Sequence, residues 1–337
     1  MNMKTVSIVI PCRNEAGYIS ACLDSIVASD FPKESLSVYV CDGMSDDGTT
    51  EIIKGYSEKF PYIHLIVNEK RTTPYALNLG IKADNSDAVI ILGAHSAVAE
   101  DFINRNCEAL FSDEKVGCAG GILINNFENR VSRIIGYAMS QPFGVGNAHF
   151  RTGAKSGYVD TVAFGCYKRE VFEKIGYFDE QLTRNQDDEF NYRLKKAGYE
   201  ILLDTSIRSY YVVRSSYKKL LRQYFQYGYW KVFVNQKHKM ITTFRQLVPF
   251  FFVAFVVLGA VASFFSKYCA WLYLAVLMCY FLSALFFAAK SKLPVKDWLG
   301  IIFSFSILHI SYGSGYWVGI WDFLIRGKKP VYDNSSR

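Results

Sequence analysis

The first half of the chain alternates short apolar runs with segments in which apolar residues recur at helical spacing. Residues 5–11 (TVSIVIP) form a continuous β-branched run, which is typical of a strand buried on both faces of a parallel sheet. Similar runs follow at residues 36–41, 63–67 and 88–92, and helical patterns occupy residues 14–28, 49–60 and 74–82. This alternation predicts an α/β fold built on a Rossmann-like, doubly wound and mostly parallel sheet. A further helix is predicted from Asp187 to Ala197.

The pattern changes near residue 247, beyond which apolar residues dominate and charges are few. Residues 247–266 and 268–289 are each long enough to cross a bilayer core, which needs about 20 apolar residues. Only Lys267 separates them, so they are predicted to form a hairpin of two transmembrane helices.

A third apolar segment, residues 298–321, contains several serines and glycines, and it is either a transmembrane or a re-entrant or interfacial segment. Lysines precede it and Arg326, Lys328 and Lys329 follow it. Both groups stay on the cytoplasmic side only if the segment does not cross, so we favour re-entry, with glycines that tolerate the bend.

The chain therefore divides into a domain at residues 1–215, a linking region at 216–246, a membrane region at 247–325 and a tail at 326–337. The linking region mixes aromatic residues with lysine and arginine, and part of the net charge of +7 is concentrated there. Such a mixture is typical of a membrane interface with anionic lipids. No nucleic-acid-binding motif accompanies it, so nucleic acid is not an expected partner.

The eight cysteines form no C-x-x-C pair and lie mostly inside apolar stretches. This distribution predicts buried thiols in a reducing compartment. The apolar run at residues 6–12 is too short for a signal peptide, so we expect the amino-terminal domain to be cytoplasmic.

Polar residues follow the predicted strands at their carboxyl ends, where open α/β sheets bind ligands. Asp42 can accept hydrogen bonds from a base or ribose, whereas residues 45–47 suit helix capping. Arg71 precedes a helix and is a candidate phosphate ligand. Gly93 would let a ligand approach the backbone closely, and His95 follows it.

Residues 184–193 (RNQDDEFNYR) place carboxylate and amide groups at the start of the last predicted helix of the domain. Asp187 and Asp188 lie about 100° apart on a helix, so they cannot face one target equally. We expect one of them to be functional and the other solvated, and the helix dipole accounts well for Asp188.

The order of four motifs resembles family 2 glycosyltransferases with the GT-A fold. The motifs are Pro-x-Arg-Asn-Glu, Val-Cys-Asp-Gly-Met-Ser-Asp-Asp-Gly-Thr, Ala-Leu-Asn-x-Gly and Gln-Asp-x-Glu-Phe-x-x-Arg, and the resemblance covers residues 6–239. Within that family the chain is most similar to membrane-anchored enzymes of bacterial exopolysaccharide assembly, the succinoglycan glucosyltransferase group.

The resemblance implies an inverting transfer of a sugar from a nucleotide-sugar, with UDP as the expected carrier, to an acceptor hydroxyl. It implies Asp187 as the general base. The implied nucleotide-sugar ligands are Pro11, Arg13, Asn14, Glu15, Asp42, Arg71, Asn78, Gly93 and His95. The implied acceptor-binding residues are Gly165, Asn185, Gln186, Glu189 and Trp230.

The resemblance also implies a divalent metal, Mn²⁺ or Mg²⁺, held by an Asp-x-Asp or Asp-x-His triplet after the fourth strand. Here the triplet is Gly93-Ala94-His95, so its first acid is missing. We interpret His95 as the remaining metal ligand, and an imidazole suits Mn²⁺ better than Mg²⁺. Two alternatives are direct contact of His95 with the diphosphate and a purely structural histidine.

The expected acceptor is a polyprenyl-diphosphate-linked saccharide at the cytoplasmic face of the inner membrane, where the multi-pass chain would also contact lipids. One alternative is a polyprenyl-phosphate sugar synthase, which needs no strong base. Another is a catalytically degenerate membrane scaffold, because Gly93 and Gln186 replace acids of the family pattern.

Overall fold

The computed structural model describes residues 4–153, 155–242 and 244–330. These residues form two compact units. The first unit contains the described residues up to Asn125 together with Gly153–Val212, and the second contains Asn126–Thr152 and Val213–Lys329.

The first unit is an α/β structure around one sheet of nine strands. Its strands are β1 (Val6–Cys12), β2 (Leu36–Asp42), β3 (Ile63–Val67), β4 (Ala88–Ile91), β5 (Ser96–Val98), β6 (Val116–Asn126), β7 (Gly157–Val159), β8 (Ala163–Lys168) and β9 (Glu200–Val212). Its helices are α1 (Ile19–Val27), α2 (Thr49–Lys59), α3 (Thr73–Ile81), α4 (Phe102–Leu110), α8 (Arg169–Ile175) and α9 (Gln186–Lys196).

The sheet runs in the order β3-β2-β1-β4-β8-β6-β9-β5, with β7 beside β9. The pairs β3–β2, β2–β1 and β1–β4 are parallel, as predicted. The pairs β4–β8, β8–β6, β9–β5 and β9–β7 are antiparallel, so the sheet is mixed rather than mostly parallel. Parallel pairing needs a crossover, and a helix follows each of β1, β2 and β3.

The parallel strands are buried on both faces because helices cover them. Ile8 and Ile10 of β1 are fully buried, as are Leu23 and Ile26 of α1. The helix α1 begins at Ile19 rather than at residue 14, because the residues after β1 form turns in which Asn14 has a φ of 54°.

The second unit is helical. Its elements are α5 (Arg130–Met139), α6 (Pro142–Val145), α7 (His149–Thr152), α10 (Tyr217–His238), α11 (Val248–Ser263), α12 (Lys267–Ala289), α13 (Trp298–Gly319) and a π-helical turn (Ile320–Ile325).

Residues 126–152 belong to this second unit, so the predicted single domain at residues 1–215 is wrong there. The ring of Phe143 contacts that of Phe305 in α13, with centroids 5.0 Å apart, and the Phe143 carbonyl lies 2.8 Å from His309 Nε2. The only local signal concerns α5 itself, because Asn129 and Ser132 form a capping box at the start of this amphipathic helix.

Among the residues that the structure describes, two helices are long and apolar enough to cross a membrane, by length and composition. They are Phe244–Ser263 and Lys267–Ala289, each with a mean hydropathy of 2.2. They pack as a hairpin, in which the Tyr273 hydroxyl donates to the Val256 carbonyl at 3.3 Å.

The third apolar segment is one unbroken helix from Trp298 to Gly319, so the bend that re-entry requires is absent from this part of the structure. Its glycines serve close packing instead. A Cβ on Gly315 would lie 2.1 Å from the Phe225 carbonyl oxygen, and one on Gly228 of α10 would lie 2.0 Å from that of Tyr312. These two glycines let the backbones of α10 and α13 approach closely.

Five of the eight free cysteines are buried, as predicted, and burial raises the pKa of the Cys22 thiol to about 12. Such thiols are unreactive. Cys269 and Cys279 are exposed on α12, which corrects the expectation for these two.

The glycine contacts make a stability prediction. Gly315→Ala should destabilise the helical unit by about 1–3 kcal/mol, because the added methyl group overlaps a backbone carbonyl that cannot rotate away. Thermal unfolding in detergent measures this loss. Gly55→Ala is the matched control, since a Cβ there meets nothing within 4 Å and alanine favours the helix α2. Equal midpoints for the two variants would contradict the packing role.

Candidate active site

The loops after β1 and β2 are joined by hydrogen bonds. The Asn14 amide donates to Ser45 Oγ at 2.8 Å, and the Glu15 amide donates to Thr49 Oγ1 at 2.8 Å. The Asp46 amide donates in return to Asn14 Oδ1 at 3.1 Å. These hydrogen bonds hold the loop after β1 against the loop after β2.

Residues 45–47 were expected to cap α2, but Gly48 is its N-cap residue. Asp47, just before it, still binds the start of the helix, because its carboxylate accepts from the Thr49 amide and hydroxyl as well as from the Ala16 amide. Burial would raise the pKa of Asp47, but these hydrogen bonds outweigh it and lower the pKa. The acidic loop at residues 45–47 is therefore hydrogen-bonded to the loop after β1, and it also leads into α2.

Asp42 lies at the end of β2 and is buried, with its carboxylate held by two hydroxyl groups. Ser45 Oγ donates to Oδ1, and Thr50 Oγ1 donates to Oδ2 at 2.6 Å. The Ser45 amide also donates to Oδ2, at 3.3 Å. A carboxylate can accept about four hydrogen bonds, so Asp42 retains capacity for one more, from a nucleotide. The contribution of Thr50 was not predicted from its sequence pattern.

Arg13 and Arg71 bring positive charge to the same ends of the strands. A Cβ on Gly43 would lie 3.3 Å from the Arg13 side chain, so Gly43 gives Arg13 room beside β2. Arg71 is exposed, has a φ of 57°, and its Nη2 lies 3.7 Å from the sulfur of Met44. Pro11 pairs with Cys41 in the parallel register. Two cations thus flank the loop that follows Asp42.

His95 follows β4, and its Nδ1 lies 3.6 Å from Oε1 of Glu15. The Tyr211 ring meets the His95 ring at 5.3 Å in an edge-on arrangement, a contact that the sequence did not predict. Gly93 is packed, because a Cβ there would lie 3.3 Å from both Phe164 and Ser96 Oγ. Its role is therefore close packing beside the histidine.

No group of three or more His, Cys, Asp or Glu side chains that could hold a metal is found within residues 4–153, 155–242 and 244–330. His95 and Glu15 are two such donors. The His95 imidazole, with the Glu15 carboxylate beside it, fits a cation that takes its other ligands from a bound diphosphate and water. The donor set therefore fits a metal that binds together with a nucleotide.

Asn78 is not available for the donor, contrary to the prediction. Its Nδ2 donates to the Phe178 carbonyl at 2.9 Å and to Glu180 at 3.0 Å, and its Oδ1 accepts from the Phe178 amide at 3.0 Å. The side chain is buried. Asn78 joins α3 to the segment around residue 178.

Asp187 lies in the first turn of α9 and is exposed, whereas Asp188 is only half-exposed. The Oδ1 of Asp187 accepts the Asp188 amide at 2.9 Å, and Asn185 before it has a φ of 61°. The Oε1 of Gln186 is buried, with no hydrogen-bond partner within the described residues. An exposed carboxylate and a buried amide acceptor thus lie side by side.

Tyr167 of β8 fixes α9 to the sheet. Its hydroxyl donates to Asn191 Oδ1 at 3.1 Å, and Asn191 Nδ2 donates to Thr161 at 3.1 Å. Burial, with added effects from Cys118 and the Asp187 charge, raises the pKa of Tyr167 well above its usual value.

Glu189 and Gly165 were predicted to bind the acceptor, and the structure contradicts both. Glu189 is fully buried, and both carboxylate oxygens accept from Arg193, at 2.8 and 2.9 Å. Gly165 is buried, where a Cβ would lie 2.9 Å from both Cys118 and Tyr167. Both residues are therefore buried packing residues that support the site without contacting the acceptor.

Trp230, in the helical unit, was also predicted to bind the acceptor. Only 6% of it is exposed, and its ring packs against Phe323 at 5.9 Å and against Phe233 at 6.1 Å. Stacking on a sugar needs an open ring face, so Trp230 is a packing residue. Lys231 beside it is fully buried, unlike the lipid-facing lysine expected in this region.

Comparison with known proteins identifies the family. The family model described as "Glycosyl transferase family 2" matches residues 7–176, which is half of the chain. The chain belongs to glycosyl transferase family 2. It is therefore a glycosyltransferase, and the resemblance seen in its motifs is confirmed.

Two relatives extend the match. A dolichyl N-acetyl-alpha-D-glucosaminyl phosphate 3-beta-D-2,3-diacetamido-2,3-dideoxy-beta-D-glucuronosyltransferase of Methanococcus voltae is 36% identical over 234 residues, covering 67% of this chain and 72% of that protein. The succinoglycan biosynthesis protein ExoA of Rhizobium meliloti is 27% identical over 323 residues, covering 94% and 95%.

Solved structures agree on the fold. The mannosyltransferase PcManGT from Pyrobaculum calidifontis, in complex with GDP-Man and Mn²⁺, has a TM-score of 0.61 at 19% identity, covering 93% of this glycosyltransferase and 88% of that chain. The likeness confirms the predicted GT-A fold class.

The buried ion pair between Glu189 and Arg193 leads to a prediction about the stability of the protein. Glu189→Gln should lower the free energy of unfolding by about 3–5 kcal/mol, because it leaves the Arg193 charge without its carboxylate. Chemical denaturation in detergent measures it. Asp188→Asn, one residue away and half-exposed, is the control and should change stability little. A fully stable Glu189→Gln protein would show that the pair is dispensable.

Proposed function

We propose that this enzyme transfers a sugar, with inversion, from a nucleotide-sugar to a hydroxyl group of a lipid-linked saccharide. UDP is the expected nucleotide, and exopolysaccharide or a related surface glycan is the expected product. The proposal rests on the positions of four polar side chains in the sheet. Arg13, Asp42, Arg71 and His95 follow four adjacent parallel strands at their carboxyl ends.

The donor would bind across these strand ends. Asp42 would accept a hydrogen bond from the base or ribose. Arg13, Arg71 and His95 would meet the diphosphate, whose charge grows as the sugar leaves. A divalent cation that binds His95 together with the diphosphate would supply further charge stabilisation when bound.

Asp187 would accept the proton of the acceptor hydroxyl. The acceptor oxygen forms its bond to the anomeric carbon while the bond from that carbon to the diphosphate oxygen breaks on the opposite face. The exposure of Asp187 supports this role because an acceptor can reach it. Asn185 and Gln186, at the start of the helix that carries Asp187, would orient the acceptor.

The lipid-linked acceptor is proposed from two observations. The Methanococcus voltae relative is named for a dolichyl phosphate-linked sugar, and the Rhizobium meliloti relative for succinoglycan biosynthesis. The chain also carries two apolar helices that could enter a membrane. We propose the cytoplasmic face of the inner membrane as its location.

We further propose that α11 and α12 cross the membrane and that α13 lies at the face where they enter. Phe305 and Trp317 are about 18 Å apart along α13. Phe305 contacts Phe287 near the end of α12, and Trp317 contacts Phe250 near the start of α11. Both contacts lie at the open end of the hairpin, so α13 lies across its base instead of following it to the tip.

One face of α13 supports an interfacial position. Leu299, Phe303, Ile310 and Trp317 are exposed and fall within about 40° on the helix. Such a stripe can contact lipid along its whole length. This arrangement keeps Arg326 and Lys328 on the cytoplasmic side, as the charge pattern favours.

The catalytic assignment predicts that Asp187→Asn loses about 10²–10⁴-fold in transfer rate while still binding the donor. Nucleotide release by protein in detergent would be screened with UDP- and GDP-sugars, with Mn²⁺, Mg²⁺ or EDTA, and donor binding would be measured by calorimetry. Asp188→Asn is the control and should retain transfer. Full activity of Asp187→Asn would favour a polyprenyl-phosphate sugar synthase, and absence of donor binding by the unaltered protein would favour a scaffold.

The membrane assignment predicts that Cys269, at the tip of the hairpin, reacts with a membrane-impermeant maleimide in intact spheroplasts. The label should disappear in Cys269→Ser. Val295→Cys, in a variant that also carries Cys269→Ser and Cys279→Ser, is the control for the base. It is 71% exposed and should react only after permeabilisation. Labelling of Cys269 only after permeabilisation would show that the hairpin does not cross.

A further inference from the structure

Glu15 faces His95 at the centre of the candidate site. Its Oε1 lies 3.6 Å from His95 Nδ1, and the two side chains are 15% and 27% exposed. That separation is within ion-pair range and longer than a hydrogen bond. Polar contacts in an empty active site are often long and tighten when the substrate binds.

The fold holds each partner separately. The Glu15 amide donates to Thr49 Oγ1, and the Glu15 carbonyl accepts from Tyr18 and Ile19 at 2.9 Å each. The His95 ring meets the edge of the buried Tyr211 ring. Because β1 and β4 are adjacent parallel strands, the loops that carry Glu15 and His95 emerge side by side.

The chemistry of the pair favours one form of the imidazole. A carboxylate facing Nδ1 stabilises a proton on that nitrogen and repels its lone pair. The lone pair is then on Nε2, which is the atom that can bind a cation or accept a hydrogen bond. A carboxylate behind a histidine ligand is a common means of fixing its tautomer and orientation.

We propose that Glu15 is a positioning residue that fixes His95 as the Nδ1–H tautomer and directs Nε2 toward the diphosphate and its cation. This assignment replaces the predicted contact between Glu15 and the donor. It rests on the proposed function, which supplies the diphosphate, but the state of the His95 ring is measurable without any ligand.

The first test is nitrogen NMR of the full chain labelled with ¹⁵N-histidine. The chain has five histidines, and the spectrum of His95→Asn identifies the His95 signals. We expect the unaltered protein to show Nδ1–H, and Glu15→Ala to shift toward the Nε2–H form that free imidazole prefers. Glu51→Ala, which removes an exposed carboxylate from α2, is the control and should leave the signals unchanged.

The second test is Mn²⁺ binding in the presence of UDP, followed by electron paramagnetic resonance. Glu15→Ala should weaken binding about 10–100-fold, which is the usual effect of removing such a supporting group. Glu15→Gln keeps the shape and an acceptor oxygen, so it should lose less. In a His95→Asn background, Glu15→Ala should cause no further loss, because it acts only through the histidine.

Two results would overturn the inference. One is an unchanged His95 tautomer in Glu15→Ala. The other is an equal loss of Mn²⁺ affinity in the His95→Asn background, which would make Glu15 a direct ligand. Failure of the unaltered protein to bind UDP, with or without Mn²⁺, would instead count against the proposed function, and the tautomer measurement would still decide the role of Glu15.

Discussion

Parallel pairing on both sides of β1 is the constraint on which the catalytic unit depends. Cys12 of β1 lies beside Asp42 of β2, and Val9 lies beside Ile91 of β4. Three chain segments that are distant in sequence therefore end at one edge of the sheet. The hydrogen bonds between the first two loops then fix the spacing of side chains that bear charge. Without that register the motifs would be scattered polar residues.

The site is held by groups that do not touch the substrate. Glu189 and Arg193 of α9 pair with each other, Asn78 bridges to residue 178, and Tyr167 bonds to Asn191. The polar atoms of these side chains form hydrogen bonds inside the protein, as buried polar groups generally do. Asp187 can therefore remain exposed while the helix that carries it is fixed. This arrangement leaves the Asp187 carboxylate, the proposed general base, accessible on a helix that is fixed in place.

The sequence predicted the strands and helices of the parallel half closely, because buried β-branched runs and helical periodicity are strong local signals. The roles that it assigned to Asp42, His95 and Asp187 stay predictions. It misassigned Asn78, Glu189 and Trp230, because a motif gives the type of a residue but not the direction of its side chain. It also missed that residues 126–152 join the helical unit, since only long-range contacts with α13 reveal this.

The close contact between α10 and α13 restricts the amino-acid substitutions that this protein can tolerate. At Gly228 and Gly315 every other amino acid is larger, and the space is already filled by a neighbouring carbonyl. No single replacement can be accommodated there without moving a helix, so tolerated variation must begin with a compensating shift elsewhere. The contact between α10 and α13 should therefore vary little in sequence, while the exposed apolar positions of α11 and α12 can vary more freely.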